Sequence, residues 1–410
     1  MKSVNASVDE KRLWDDLMAL ASFGAREDGG VCRHALSRED IASREWLIGK
    51  ARERGYRIAA DSAANLFLTR FGCDNDLPPV LAGSHMDSQP AGGKFDGAYG
   101  VLAAFEALRA LDDAGLETAR PVTAVAWTNE EGGRFHIPCT GSRAFVSGKV
   151  PEPDQTDEEG VTLADALKRT LDAAPDVERI APGFPVHAYV EPHIEQGPVL
   201  EAEGLPIGVV TGIQGVRWFN VTVTGEPGHA GTVPHAIRRD AFQATLRAVS
   251  ALSTLMEDPD DVVRFTVGHV SVVPNSPNTI PSSVRFSIDF RHPERGVLDA
   301  RAARIADLIA REVRPCTAEV AMTTSMQPVV FPDQITGAIA KAADTEGLKH
   351  RALASGAFHD AAHIASVCPS GMIFIPCRGG LSHHPDEWAT PEHCAAGARV
   401  LAGALAQLAA

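Results

Sequence analysis

No stretch of the sequence reaches 18 unbroken apolar residues, so no membrane-spanning helix is expected. The opening residues, MKSVNASVDEKRLWDDL, are rich in charge and lack an apolar h-region, which argues against a secretory signal. There is no CxxC pair. The 7 cysteines, at positions 32, 73, 139, 316, 368, 377 and 394, are odd in number and scattered. That pattern reads as reduced thiols in a cytoplasm rather than a disulfide framework. Basic excess is missing too: 38 Lys and Arg stand against 53 Asp and Glu, a net charge of -15 with pI near 5.4. Such a chain is a poor partner for a phosphate backbone, though a small anion can still be met by one local arginine. Internal repeats and low-complexity tracts are also absent.

What is present is an ordinary globular balance, 44% hydrophobic and 22% charged over 410 residues, long enough for two domains. Helical periodicity runs over 8–24, where Trp14, Leu17, Leu20 and Ala21 share a face, and over 38–54 and 98–114. Short apolar runs lie between and after them: Leu66-Phe67-Leu68, Pro79 to Ala82, Val122 to Trp127, and Ala188-Tyr189-Val190. Strands alternating with helices predict an α/β layer with a mixed, largely parallel sheet between helices. The acidic stretch 151–178 reads as a surface helix with a loop. Near residue 212 the pattern changes. Strand-like alternation at 217–224, a helix at 239–256, strands at 262–273 and 283–291, a helix at 297–313 and a strand at 318–324 follow one another. That order is the ferredoxin-like β-α-β-β-α-β plan. The expected organisation is therefore an inserted domain over 212–328 within a larger domain formed by 1–211 and 329–410.

The apolar runs of the larger domain share a feature: each ends in potential metal ligands. His85-Met86-Asp87 follows Pro79 to Ala82, Asn129-Glu130-Glu131-Gly132 follows Val122 to Trp127, Glu191-Pro192-His193 follows Ala188-Tyr189-Val190, and Ser382-His383-His384-Pro385 follows the run Met372 to Ile375. Ligands of open α/β sheets bind beyond the carboxyl ends of strands, so these ends predict one shared site. Imidazole and carboxylate together suit zinc, manganese or cobalt better than magnesium or calcium. Three histidines and two carboxylates suffice for a carboxylate-bridged metal pair that acidifies a water. Of the adjacent Glu130 and Glu131, one can then serve as ligand and the other as base. A turn beginning at Gly132-Gly133 lets two neighbours on one strand end face the same site. His34, His136, His187, His269, His292 and His350 read as ordinary surface or core histidines.

GSHMDSQPAGGKFDGAYGVLAA, TNEEGGRF, EPHIEQGPVLE, GHAGTVP, NTIPSSVRFSIDFR and GMIFIPCRGGLSHHPDE together resemble the carbamoylase and ureidohydrolase branch of the M20 metallopeptidase clan, from about residue 17 to 393. The eleven-residue step from His85 to Asp96 is similar to the amidases of that branch. The resemblance implies two divalent ions per subunit, zinc or manganese with cobalt or nickel as substitutes. His85 and His193 would hold one ion, Glu131 and His383 the other, and Asp96 would bridge them. Glu130 would be the general base, and Asp87 would orient His85. It further implies that the inserted domain is lid and dimer interface of a homodimer. His229 would stabilise the oxyanion, Asn278 and Arg291 would bind a substrate carboxylate, and Gln196, Gln214 and the loop residue Ala357 would line the pocket. The activity implied is hydrolysis of a linear amide bond in an N-carbamoyl acid, an N-carbamoyl-L-amino acid first, with allantoate or ureidoglycolate as alternatives.

The chain departs from the resembling pattern at Phe358, where a glycine is usual and where an aromatic should reshape the pocket, and at His235, where methionine is common. Two rival readings use other chemistry: an aminoacylase or dipeptidase on the same metals, and a non-catalytic metal-binding protein. The second should lack a ligand or the base, and none is missing.

Overall fold

A computed structural model describes residues 4–410. The four apolar runs that end in candidate ligands form strands β1 (Val80–His85), β2 (Val122–Trp127), β3 (Ala188–Ile194) and β4 (Ser370–Ile375). They are neighbours in the order β4-β3-β1-β2 and all parallel. Every residue in them is buried. Near-continuous apolar runs, rather than alternating ones, are what strands covered on both faces require. Antiparallel strands flank this core: Ile207–Ile213 beside β4 and Leu66–Arg70 beside β2, within a mixed sheet of ten strands.

Helices α1 (Ala98–Asp113) and α2 (Pro391–Leu408) are buried along most of their length and share one hydrophobic core with the strands. Their small alanine and glycine side chains permit that close packing. The expected N-terminal helices span Glu10–Ala21 and Arg38–Glu53. Asp9 caps the first by accepting the Arg12 N–H, and Ser37 the second by accepting that of Asp40; such caps contribute about 1 kcal/mol each. The stretch 151–178 is a loop followed by a helix, Leu163–Ala173, capped by Thr162. No described helix is long and apolar enough to cross a membrane.

The chain divides into two compact units, one running to Thr211 and resuming at Val330, the other Gly212–Val329. Each has its own apolar core. In the second, Thr317–Met326, Gly215–Thr224 and Ser283–His292 lie side by side and antiparallel, with Arg264–Thr266 and Val270–Val273 on the far edge. Helices Ala241–Met256 and Arg295–Glu312 join them, completing the ferredoxin-like order. Val221, Val223, Val284, Phe286, Ile288 and Phe290 are buried with those helices, which explains the period-2 alternation.

Two differences from the sequence reading are local. The stretch 262–273 is not one strand but two, because the chain leaves the ladder at 267–269, where His269 exchanges hydrogen bonds with Ser287. Strands Arg57–Ala60 and His350–Ser355 gave no apolar run, since only two residues of the first and one of the second are buried.

Candidate metal centre

Each strand of the parallel core delivers its candidate ligand by a different local device. His85 is the last residue of β1 and is buried. The chain then loops through Asp87 to Asp96 before α1 begins. Gly97 makes that turn with φ of 61°, directly beneath the His85 ring: a Cβ there would lie 2.3 Å from the imidazole. Beyond β2, Asn129 turns the chain in the left-handed region (φ 54°), so that Glu130 and Glu131 both face the site rather than opposite sides of a strand. His193 comes from within β3. His383, itself at φ 54°, comes from the segment after β4. Gln196 and Cys139 share this conformation. Side chains with positive φ cost about 1–3 kcal/mol each, and four of them around one cluster mark a place where geometry outranks local stability.

The ligand atoms fall into two groups that share Asp96: His85, Asp96 and His193, and Asp96, Glu131 and His383. Asp96 Oδ1 lies 3.1 Å from His193 Nε2 and 3.5 Å from His85 Nε2. Its Oδ2 lies 3.4 Å from His383 Nε2, which is 3.2 Å from Glu131 Oε2. Proton placement tests whether these residues fit a cation. His85 Nδ1 is 3.0 Å from the Asp87 carbonyl and His193 Nδ1 is 2.9 Å from the Ile194 carbonyl. Each ring therefore donates through Nδ1, and each Nε2 lone pair is turned toward the same carboxylate oxygen. Two Nε2 atoms facing one carboxylate oxygen need positive charge between them, a proton or a cation, and these residue types can hold a divalent cation there.

The electrostatics agree. Burial opposes a charged His85, but Glu130, Asp96 and Asp87 outweigh it and hold its pKa well above the usual value. His193 is raised in the same way, with Asp96 and Glu191 overcoming burial. Burial would lift Asp96, yet its contacts with His193 and His85 bring it well below the ordinary range. His383, paired with Glu131, is pushed up to about 9. Glu130 behaves oppositely: burial, reinforced by Asp360, Glu131 and Asp96, lifts it well above a normal glutamate although His85 pulls it down.

Glu130 belongs to neither ligand group. Its Oε2 is 3.6 Å from His85 Nε2, and its Oε1 accepts from the Cys139 thiol at 3.6 Å. Asp87, expected to orient His85, meets it through the main chain rather than through the carboxylate. The carboxylate stands 3.9 Å from Nδ1, and the ring donates to the main-chain carbonyl of the same residue instead. The two carboxylate oxygens accept the N–H groups of Glu130 and Glu131, both at 3.2 Å, so Asp87 shapes the turn that carries these two glutamates. Gln196, expected to line the pocket, donates to Asp96 Oδ2 at 2.8 Å and to Ser382 Oγ at 3.0 Å.

Gln214, His229, Asn278 and Arg291 lie in the Gly212–Val329 unit. There Thr279, next to Asn278, pairs with His229, and the Asn278 carbonyl accepts the Ala230 N–H. His229 Nδ1 accepts from Gly231, which leaves Nε2 as the donor. Arg291 pairs with Asp289 two residues earlier on its strand. Ala357 sits in a loop whose N–H and carbonyl are both bonded to the Ser355 hydroxyl. The Phe358 ring packs edge-on against His363, with centroids 5.3 Å apart.

Several neighbours carried no signal that the sequence reading used. His359 is buried with its ring centroid 4.6 Å from that of His193. Ser382 donates to Asp96 Oδ2 at 2.6 Å. Gln89 donates to Glu131 Oε2 at 2.9 Å. Glu387 is 1% exposed and, through burial and then Asp96, pushed up to about 7. His359 lies four residues beyond the strand His350–Ser355, and because that strand gave no apolar run its position offered no cue.

Gly97→Ala is expected to push the His85 ring aside and weaken zinc binding by about 10–100-fold, the usual cost of losing a partner that orients a ligand. Calorimetric titration with zinc checks it; wild-type affinity would show that the ring can move without consequence.

Imidazoles and carboxylates gathered at the carboxyl ends of a parallel sheet, with a further carboxylate left over, have the make-up of a hydrolytic metal centre. The chain belongs to peptidase family M20/M25/M40, whose sequence pattern it matches over residues 81–407. It is 39% identical over 403 residues to an N-carbamoyl-L-amino-acid amidohydrolase of Rhizobium meliloti, covering 97% of this chain and 96% of that protein. It is 34% identical over 415 residues to an allantoate amidohydrolase of Bacillus subtilis, covering 99% and 98%. Among solved structures, a hydantoinase/carbamoylase family amidase from Burkholderia multivorans superposes with TM-score 0.93 at 42% identity, covering 98% of each chain.

Proposed function

We propose that the protein hydrolyses the linear C–N amide bond of an N-carbamoyl acid, an N-carbamoyl-L-amino acid in the first instance. The observation carrying this reading is the pair of ligand groups joined through Asp96, with Glu130 beside them and outside both. His85, Asp96 and His193 would hold one ion, and Asp96, Glu131 and His383 the other. Zinc or manganese suits this donor set. When bound, such a pair supplies Lewis acidity toward the scissile carbonyl and toward water.

The remaining chemistry belongs to the chain. Glu130 accepts the proton of the attacking water at Oε2, while the Cys139 thiol holds Oε1. It then passes that proton to the departing nitrogen. Asp87 keeps the Glu130-Glu131 turn in place through its two amide contacts. His229, donating through Nε2, stabilises the developing oxyanion. Asn278 and Arg291 recognise the substrate carboxylate, with Gln214 and the Ala357 loop completing the pocket. Arginine suits that task because its planar fork meets both oxygens at once. The products are the free amino acid and carbamate, which decomposes to ammonia and carbon dioxide. We assign the Gly212–Val329 unit the role of lid and homodimer interface, and the protein to the cytoplasm, where its seven free thiols stay reduced.

Ammonia and amine release from a panel of N-carbamoyl-L-amino acids, allantoate, ureidoglycolate, N-acetyl amino acids and dipeptides tests this. Turnover of the ureido acids is expected to vanish on chelation and return with zinc or manganese. Faster cleavage of the N-acetyl acids or dipeptides would sink the reading in favour of an aminoacylase or dipeptidase.

A further inference from the structure

Two segments far apart in sequence deliver ligands to the shared centre: the loop before α1 carries Asp96, and the segment after β4 carries His383. Glu387 joins them. Its Oε1 accepts the N–H groups of Phe95 at 2.8 Å and of Asp96 at 2.9 Å. Its Oε2 lies 3.3 Å from Ser382 Oγ, the hydroxyl that donates to Asp96 Oδ2 at 2.6 Å. The Asp96 backbone and side chain are thus both tied, directly or through one hydroxyl, to a single carboxylate. Gly93 is pressed so closely against this carboxylate that a Cβ there would lie 2.1 Å from Glu387 Cδ. Burying a carboxylate is unfavourable unless its donors are fixed, and here two fixed main-chain N–H groups converge on one oxygen.

We propose that Glu387 is a positioning residue that sets Asp96 and His383 relative to one another, so that the two cation positions are fixed together. This rests on the reading of Asp96 as the ligand common to both. Glu387 touches neither substrate nor any proposed ligand atom directly; it acts through the Asp96 backbone and through Ser382. The same arrangement explains why Gln196 is drawn to Asp96 Oδ2 and Ser382 Oγ: it closes the polar ring that Glu387 opens.

The test is zinc binding to the full-length protein, measured by chelator competition, for wild type, Glu387→Gln and Glu387→Ala, with thermal midpoints taken without zinc. Wild type is expected to take two zinc ions. Glu387→Gln keeps the shape and one acceptor oxygen, and should take two with affinity lowered about tenfold at an unchanged midpoint. Glu387→Ala should retain fewer than two at the same free zinc. Should the alanine variant fail to fold, the glutamine variant alone decides. Wild-type affinity in Glu387→Gln would overturn the proposal, as would an affinity loss that merely follows a fall in the zinc-free midpoint. A wild-type protein taking fewer than two zinc ions would instead overturn the two-cation reading itself, and the proposal with it.

Discussion

Glu130→Gln is expected to lower ammonia release from N-carbamoyl amino acids by about 10²–10⁴-fold, the range that a positioned general base contributes. Zinc content should stay at the wild-type level. The argument is geometric first. Glu130 stands outside both ligand groups, and its oxygens are already divided, Oε1 toward Cys139 and Oε2 toward the His85 side. Glutamine preserves the volume and the contact with the thiol but cannot accept a proton. The environment strengthens the point, because burial lifts the Glu130 carboxyl well above its ordinary range and toward that of an effective proton acceptor. Metal analysis alongside steady-state kinetics separates the outcomes. Near-normal turnover would transfer the base role elsewhere, and lost metal would make Glu130 a ligand.

Asp96→Ala should have the broader consequence. Removing an outer partner of a metal ligand weakens binding about 10–100-fold, and Asp96 belongs to both groups, so its loss should exceed that at each position. Removing it also leaves Ser382 and Gln196 without their common acceptor and takes away the carboxylate oxygen that His85 and His193 Nε2 both face. Zinc content well below two per chain and undetectable turnover are expected, measured by elemental analysis and amine release. A variant that still bound two ions tightly would show that the two groups do not depend on a shared carboxylate.

How much of this was legible beforehand depends on whether the signal was local. The four strands of the parallel core announce themselves as unbroken apolar runs because both their faces are covered, and candidate ligands lie at or beyond the carboxyl end of each. The ferredoxin-like unit was legible for the opposite reason: one face is exposed, so its strands alternate. Glu387 was illegible. In the run HHPDEW a glutamate reads as a solvated charge, and only the return of that segment onto Phe95 and Asp96 buries it. Asp87 meets His85 through its main-chain carbonyl rather than its carboxylate, a distinction that sequence does not draw. The contact of Cys139 with Glu130 depends on a left-handed backbone that no propensity predicts for cysteine.

The Gly212–Val329 unit leaves and rejoins the larger one at points that are already partners, for the Phe331 N–H donates to the Thr211 carbonyl at 2.9 Å. In topological terms the whole insertion stands where a hairpin turn would be. Swapping it for a few linker residues should cost the β-ladder little closure entropy. A lineage could thus exchange or resize this appendage without reopening the scaffold that carries the ligands.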